Sequence, residues 1–292
     1  MEWVLLNGEF LPRKEAKVDI EDRGYQFGDG IYEVIRVYHG KMFAVDQHLS
    51  RLQSSAEKIS LQNPYTNDEW KTMLEELIRK NELDGGSVYL QLTRGASPRT
   101  HAFPDSSVLP VIVAYTKTLE RPYKERKYGV KALFVEDIRW LRCDIKSLNL
   151  LGNLLAKQKA ASAGCYEAVQ HRGETVTEGA SSNIFIVKNG VVQTHPANNL
   201  ILNGITRQVV ISLCQSNGIQ VDEKPFTKQE LLQADEVFLT STTSEVLPVV
   251  EVNERPVADG KPGAVTAKIQ ELLEKEIESL SKLADVQTSH ND

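Results

Sequence analysis

Cysteine is scarce in this 292-residue chain: Cys143, Cys165 and Cys214 form an odd, widely spaced set. They make no CxxC pair and no zinc spacing, so no disulfide framework and no metal site is expected. Reduced thiols in a cytoplasmic protein are the expectation instead. Long apolar runs are also missing. None approaches the roughly 18 residues that a membrane span needs. The start, MEWVLLNGEF, lacks the basic opening and long apolar core of a secretion signal. There is no excess of basic residues: 34 Lys and Arg stand against 40 Asp and Glu, a net charge of −6. A nucleic-acid-binding protein would usually show a basic face, although net charge says nothing about one pocket. Internal repeats and low-complexity segments are absent. What remains is ordinary globular composition, 41% hydrophobic and 25% charged. A compact chain near this length buries about three-quarters of the surface it exposes unfolded, so it needs no staple. The length suits one large domain or two of ordinary size.

One stretch organises the rest, Glu178 to Arg207. It opens with a carboxylate on a small-residue turn, Glu178-Gly179-Ala180-Ser181-Ser182-Asn183. A strand is predicted over Ile184 to Val187, with a hairpin turn at Asn189-Gly190 and a return through Val191 and Val192. Gly204-Ile205-Thr206-Arg207 then feeds a helical pattern to about Asn217, ended by Gly218. Taken singly, a glutamate on a turn is usually a solvated surface residue, and a Gly-x-Thr-Arg helix start is usually an ordinary cap. Together they place one acid on a tight turn and fresh backbone N–H groups at a helix start. Those N–H groups and the helix dipole suit a phosphate. A buried carboxylate suits a ring nitrogen that must stay protonated. Pyridoxal phosphate has both ends.

Taken in order, the chain begins as strand and turn: Trp3 to Leu6, a turn at Asn7-Gly8, then Lys17 to Ile20. Asp22 to Gly30 reads as a loop with three glycines, and Ile31 to Tyr38 as a β-branched, aromatic strand returning through Met42 to Val45. Gly28-Asp29-Gly30 precedes a strand instead of a helix, so it is read as a turn and not a phosphate loop. Asp46 is expected to cap a helix with Leu49, Leu52, Ala56 and Ile59 on its apolar face; Arg51 sits beside that face. A second helix is expected over Asp68 to Asn81, strands over Ser87 to Thr93 and Val108 to Tyr115, and a loop over Arg94 to Pro104. The charged segment around Pro122 is the expected linker, giving domains over 1–118 and 129–283, a linker over 119–128 and a flexible tail over 284–292. Lys146 falls in the second of these domains.

The run Glu-x-small-x-x-Asn-Ile-Phe, then Val-x-Thr, then Leu-x-Gly-Ile-x-Arg resembles the signature of the class IV aminotransferases, the fold-type IV pyridoxal phosphate enzymes. The resemblance runs from Asp22-Arg23-Gly24 to about Thr243, and within the family it is closest to the D-amino acid aminotransferases. It implies an α+β fold of two domains with the cofactor between them, working as a homodimer. Lys146, in Ile145-Lys146-Ser147-Leu148-Asn149, matches the lysine that forms the Schiff base with pyridoxal 5′-phosphate and then serves as base. That role needs a lysine whose pKa is lowered by its surroundings. Glu178 matches the partner of the pyridine nitrogen, and Arg51, in His48-Leu49-Ser50-Arg51-Leu52, the arginine of the cofactor phosphate. Tyr32, Ser182, Leu202, Ile205, Thr206, Ser241 and Thr242 are the further cofactor contacts implied. Tyr32 also contacts substrate. Arg99 and His101 match a loop that reaches the neighbouring subunit's site and holds the substrate α-carboxylate. Ala180 is smaller than a serine would be there, which removes one hydroxyl near the cofactor.

The implied reaction is ping-pong transamination of D-alanine and 2-oxoglutarate to pyruvate and D-glutamate. A branched-chain L-amino acid aminotransferase and an aminodeoxychorismate lyase share the fold. The first lacks the Arg99-Thr100-His101 carboxylate trap, and the second would release pyruvate with no oxo-acid acceptor. A non-catalytic phosphate-ligand binder would keep its ligand function after Lys146→Ala.

Overall fold

The structure, a computed structural model, describes residues 2–288. The chain is α+β and falls into two compact units, Met1–Glu120 with Ile145–Asn149 and Ser279–Asp292, and Arg121–Asp144 with Leu150–Glu278.

The first unit carries β1 (Trp3–Leu6), β2 (Glu9–Pro12), α1 (Arg23–Phe27), β3 (Gly30–Tyr38), β4 (Lys41–Met42), α2 (Val45–Lys58), α3 (Asn67–Lys80), β5 (Gly86–Thr93) and β6 (Val111–Thr118). Its six strands make one sheet in the order β2-β1-β6-β5-β3-β4. Alternation decides which side is core. Ile31, Ile35 and Val37 of β3 and Val88, Leu90 and Leu92 of β5 pack on Leu49, Leu52 and Ala56 of α2 and on Trp70, Leu74 and Leu77 of α3. Helix α3 starts in a capping box, with Thr66 and Glu69 each satisfying the other's backbone N–H.

The second unit carries α4 (Tyr123–Tyr128), β7 (Val130–Glu136), α5 (Leu151–Ser162), β8 (Glu167–Arg172), β9 (Thr175–Gly179), β10 (Asn183–Lys188), β11 (Val191–Thr194), α6 (Ile205–Ser216), β12 (Val221–Glu223), α7 (Lys228–Leu232), β13 (Glu236–Ser241), β14 (Glu245–Val252) and β15 (Arg255–Pro256). The last helix, α8 (Ala264–Thr288), ends the described chain. Strands β12-β11-β10-β13-β14-β7-β8-β9 form a second sheet, with β15 on β14. Asn189 and Gly190 both take positive φ, 52° and 78°, so the β10–β11 hairpin turns as its Asn-Gly sequence requires.

Several expectations are corrected. Residues 17–20 form no strand; β2 pairs with β1 at Glu9–Pro12 instead. Asp22 caps the short helix α1, accepting from the N–H of Gly24 and Tyr25, where a loop was expected. Helix α2 begins at Val45 after Ala44 in the left-handed region, so Asp46 is not its cap. Strand β14 lies between β13 and β7, with Pro248 opposite Phe238. A mid-strand proline argues against a central strand, which is why this segment has no clear strand signal. The expected linker over 119–128 contains α4, and the expected tail over 284–292 is helical to Thr288; residues 289–292 lie outside the described residues.

The lysine segment is the largest correction to the expected domains. Ile145–Asn149 belongs to the first unit, not the second. Ile145 is buried in the first unit's core. The Tyr32 N–H donates to the Lys146 carbonyl (3.0 Å), and the Leu148 N–H to the Gly30 carbonyl (3.0 Å). The five residues therefore line the end of β3 and are fixed by its backbone.

Candidate active site

Around β3 the first unit gathers three expected site residues. The Lys146 N–H donates to Ser55 Oγ (3.3 Å), while its Nζ lies 4.2 Å from the centre of the Tyr32 ring. Lys146 Nζ makes no ion pair among the described residues, and the neighbouring Arg142 and Asp144 pair with each other at 3.0 Å. Tyr32 stacks on Tyr89 (5.8 Å), which in turn stacks on Tyr115 (5.0 Å), so its ring is held from the sheet side.

Arg51 is committed on one edge. Its Nε and one terminal nitrogen each donate to the Glu33 carboxylate at 2.8 Å, and His48 Nδ1 lies 2.7 Å from the same group. Burial alone would raise Glu33, but Arg51 and His48 outweigh it and hold its pKa at about 2. Burial pushes His48 below its usual value. A carboxylate held so low contributes stability above its ordinary 4.5 and loses that contribution as pH falls towards 2. Glu33→Gln, which leaves Arg51 without its buried partner, is therefore expected to cost about 3–5 kcal/mol at pH 7. Urea unfolding of the cofactor-free protein should show that gap narrowing below pH 4.5. A cost that stays constant down to pH 2 would mean that Glu33 is not held ionised.

Arg99 and His101 lie exposed on the loop after β5. Both rest on Phe27: the Arg99 guanidinium carbon is 4.8 Å from that ring's centre and the His101 ring 5.9 Å. No hydrogen bond or ring contact joins them to Tyr32 or Lys146 of the same chain among the described residues.

In the second unit, Glu178 stands at the end of β9 with 5% of its surface exposed. One carboxylate oxygen accepts from Arg139 at 2.5 Å; the other accepts from Asn183 Nδ2 (3.1 Å) and the Leu202 N–H (3.0 Å). Burial pushes Glu178 up to about 7, with Arg139 pulling the other way and losing. Arg139 is itself pushed up despite its burial, by Asp137 and then Glu178. Asp137 gathers Arg139 (2.8 Å), Arg172 (3.2 Å) and Thr177 (2.9 Å), which fixes the guanidinium beside Glu178.

The start of α6 is bare. Gly204 occupies the cap position and offers no side-chain bond to the first turn, where Ile205 and Thr206 are both buried. A Cβ on Gly204 would fall 2.1 Å from Asn183 Oδ1, so only glycine lets the Glu178 partner and the helix start sit this close. Ser182 is occupied: its hydroxyl and that of Ser181 each donate to buried Glu167 at 3.0 Å. Ser241 ends β13, with its hydroxyl accepting from the Ser244 N–H (3.0 Å), and Thr242 follows it, half-buried, in the turn to β14. Among the described residues no cluster of His, Cys, Asp or Glu could hold a metal ion.

The chain as a whole has known counterparts. A family model, Amino-transferase class IV, matches residues 30–252. The chain belongs to the class IV aminotransferases. It is 52% identical over 278 residues to a D-alanine aminotransferase of Staphylococcus haemolyticus, covering 95% of this chain and 99% of that one. It is 49% identical over 274 residues to a D-alanine aminotransferase of Bacillus licheniformis, covering 94% and 96%. Among solved structures, a branched-chain amino acid aminotransferase of T.th. complexed with N-(5′-phosphopyridoxyl)-L-glutamate superposes with a TM-score of 0.87 at 27% identity, covering 95% and 94%.

For a class IV aminotransferase the donor set fits pyridoxal 5′-phosphate. A carboxylate raised to about 7 by burial would be drawn back to its charged form by a protonated ring nitrogen beside it. A helix of twelve residues with an uncapped start suits a phosphate. Sequence reasoning missed Glu33, His48, Arg139, Asp137 and Glu167. A signal existed for one of them: Glu33 shares the apolar face of β3 with Ile31, Ile35 and Val37, and a charge on a core face must find a buried partner.

Proposed function

We propose that this class IV aminotransferase moves amino groups between D-amino acids and 2-oxo acids, with D-alanine and 2-oxoglutarate giving pyruvate and D-glutamate. The observation that carries this reading is the near-complete 52% match to a D-alanine aminotransferase, against 27% for a branched-chain enzyme of the same fold. Pyridoxal 5′-phosphate is the cofactor. When bound, it supplies an electron sink for the pair left behind as the α-proton departs.

The chain's own residues do the rest. Lys146 Nζ would hold the cofactor and, once free, would carry the α-proton as general base. Tyr32, whose ring already lies against that amine, orients Nζ and the substrate. Glu178 holds the proton on the ring nitrogen, and Arg139 and Asn183 keep its carboxylate aimed. On the first unit Arg51, set by Glu33 and His48, would hold a phosphate; on the second, the N–H groups of Ile205 and Thr206 and the hydroxyls of Ser241 and Thr242 offer phosphate donors of their own. Leu202 holds Glu178 through its N–H, and the Ser182 hydroxyl is held by Glu167. Both half-reactions use one site in turn, so the kinetics are ping-pong.

Arg99 and His101 take the α-carboxylate in the partner's site of a homodimer. Their exposure and lack of contact with Lys146 of their own chain support this. So do Ile138, Trp140, Leu141, Leu151, Leu154 and Leu155, which are 45–70% exposed on the second unit. Such a concentration of large apolar groups marks an interface. Three free cysteines, two of them buried, support a reducing, cytoplasmic setting. No helix among the described residues is long and apolar enough to cross a membrane.

The test is spectroscopic. D-alanine and L-leucine are added separately to the cofactor-loaded protein while its visible band is recorded. Loss of the band with D-alanine alone is expected. Loss with L-leucine alone would promote the branched-chain reading.

A further inference from the structure

We infer that Arg23, Phe27 and Asp29 are positioning residues for the substrate carboxylate, because they hold Arg99-Thr100-His101 in one orientation. This rests on the reading that Arg99 and His101 bind that carboxylate.

Spacing places Arg23 and Phe27 on one face of α1, four residues apart. The Arg23 guanidinium carbon lies 4.8 Å from the Phe27 ring centre, and so does that of Arg99; His101 completes the cluster at 5.9 Å. The Phe27 ring is thus a shared platform for both residues of the trap. Arg23 also grips the backbone between them, its terminal nitrogen donating to the Thr100 carbonyl at 2.8 Å. Two guanidiniums on one ring would repel, but Asp29 offsets part of the Arg23 charge, accepting from its Nε at 2.8 Å. The charge of Arg99 is left for a ligand. Asp29 ties in the other end of the loop as well. It accepts from Arg94 Nε at 2.9 Å; Arg94 also donates to the Ser60 and Ile59 carbonyls at 2.8 Å, and its guanidinium carbon lies 3.6 Å from the Phe103 ring centre.

The consequence is preorganisation. An exposed loop holding one glycine and two prolines between Arg94 and Pro104 would otherwise lose conformational freedom whenever Arg99 engaged a carboxylate. Here that freedom is removed before substrate arrives. Loss of this support therefore weakens recognition of the carboxylate without altering the chemistry at Lys146.

The experiment uses the holoenzyme and the variants Phe27→Leu, Arg23→Lys and Asp29→Asn, with Arg99→Ala as reference. Three quantities are read: kcat and KM for D-alanine, the Kd of D-lactate by calorimetry, and turnover of isopropylamine, which has a methyl group where alanine has its carboxylate. In the first three variants KM and the D-lactate Kd should rise by about 5–20-fold, as expected for a lost cation–π contact or a lost guanidinium fork. The D-alanine kcat and the isopropylamine rate should stay within about twofold. Phe27 is half-buried, so Phe27→Leu keeps the test open if Arg23→Lys fails to fold. If Arg99→Ala weakens D-lactate binding but Phe27→Leu and Arg23→Lys do not, the inference is wrong. An equal loss of D-alanine and isopropylamine turnover would overturn it too, since that is the mark of general structural damage. If Arg99→Ala itself leaves D-lactate binding unchanged, the carboxylate role of Arg99 falls first, and this inference with it.

Discussion

Lys146→Ala should lower kcat/KM for D-alanine by at least about 10⁴-fold, because one substitution removes both the cofactor anchor and the base that moves the α-proton. The fold should survive it. Lys146 Nζ makes no ion pair among the described residues, and the segment is held by backbone bonds to β3 and by Ile145 in the core, none of which the substitution touches. Steady-state kinetics and a thermal midpoint measured on the same preparation separate the two effects. Activity within tenfold of the parent would remove Lys146 from the chemistry. Retained ligand binding with no transamination in either protein would favour a non-catalytic binder.

The second large effect requires two chains. Arg99→Ala is expected to cost about 10²–10³-fold in kcat/KM for D-alanine, the loss of a charge-assisted contact to the carboxylate. If the loop serves the partner's site, Arg99→Ala and Lys146→Ala complement each other. A hybrid dimer then has one site with an intact lysine and an intact loop and one site with neither. Random re-association makes half of the dimers hybrid, so a refolded equimolar mixture should recover about a quarter of the parent activity. Recovery near zero, with hybrids shown by mass spectrometry to have formed, would place Arg99 in its own chain's site or outside any site. The exposure of Arg99 and its lack of contact with Lys146 of the same chain favour complementation.

The proposed phosphate-binding and carboxylate-binding arginines differ in how they are held, and substitutions at their supports probe that difference. Arg51 is oriented by a buried acid and a histidine, so its geometry is part of the first unit's core. Arg99 is oriented by a ring and a guanidinium at the surface. Disturbing the first therefore costs stability, as expected for Glu33→Gln. Disturbing the second should cost recognition.

Local sequence determined whatever depends on near neighbours. The hairpin at Asn189-Gly190, the capping of α3 and α7, the apolar faces of α2 and β3, and the bare start of α6 all follow from residues within a few positions of each other. The linear order of lysine, glutamate, arginine and hydroxyl residues was enough to point to the family and its cofactor. Only the tertiary structure decided who holds those residues. Glu33 and Arg51 are 18 positions apart, Glu178 and Arg139 39 apart, and Arg23 reaches the carbonyl of Thr100 across 77. A buried charge declares that it needs a partner, but the identity of that partner depends on how distant segments are packed. The same reason moved Lys146 from one unit to the other: Ile145 and the backbone bonds to β3 outweigh the continuity of the chain on either side. Backbone pairing likewise placed Pro248 in a central strand, against its propensity, because the register on β13 was set by the residues around it.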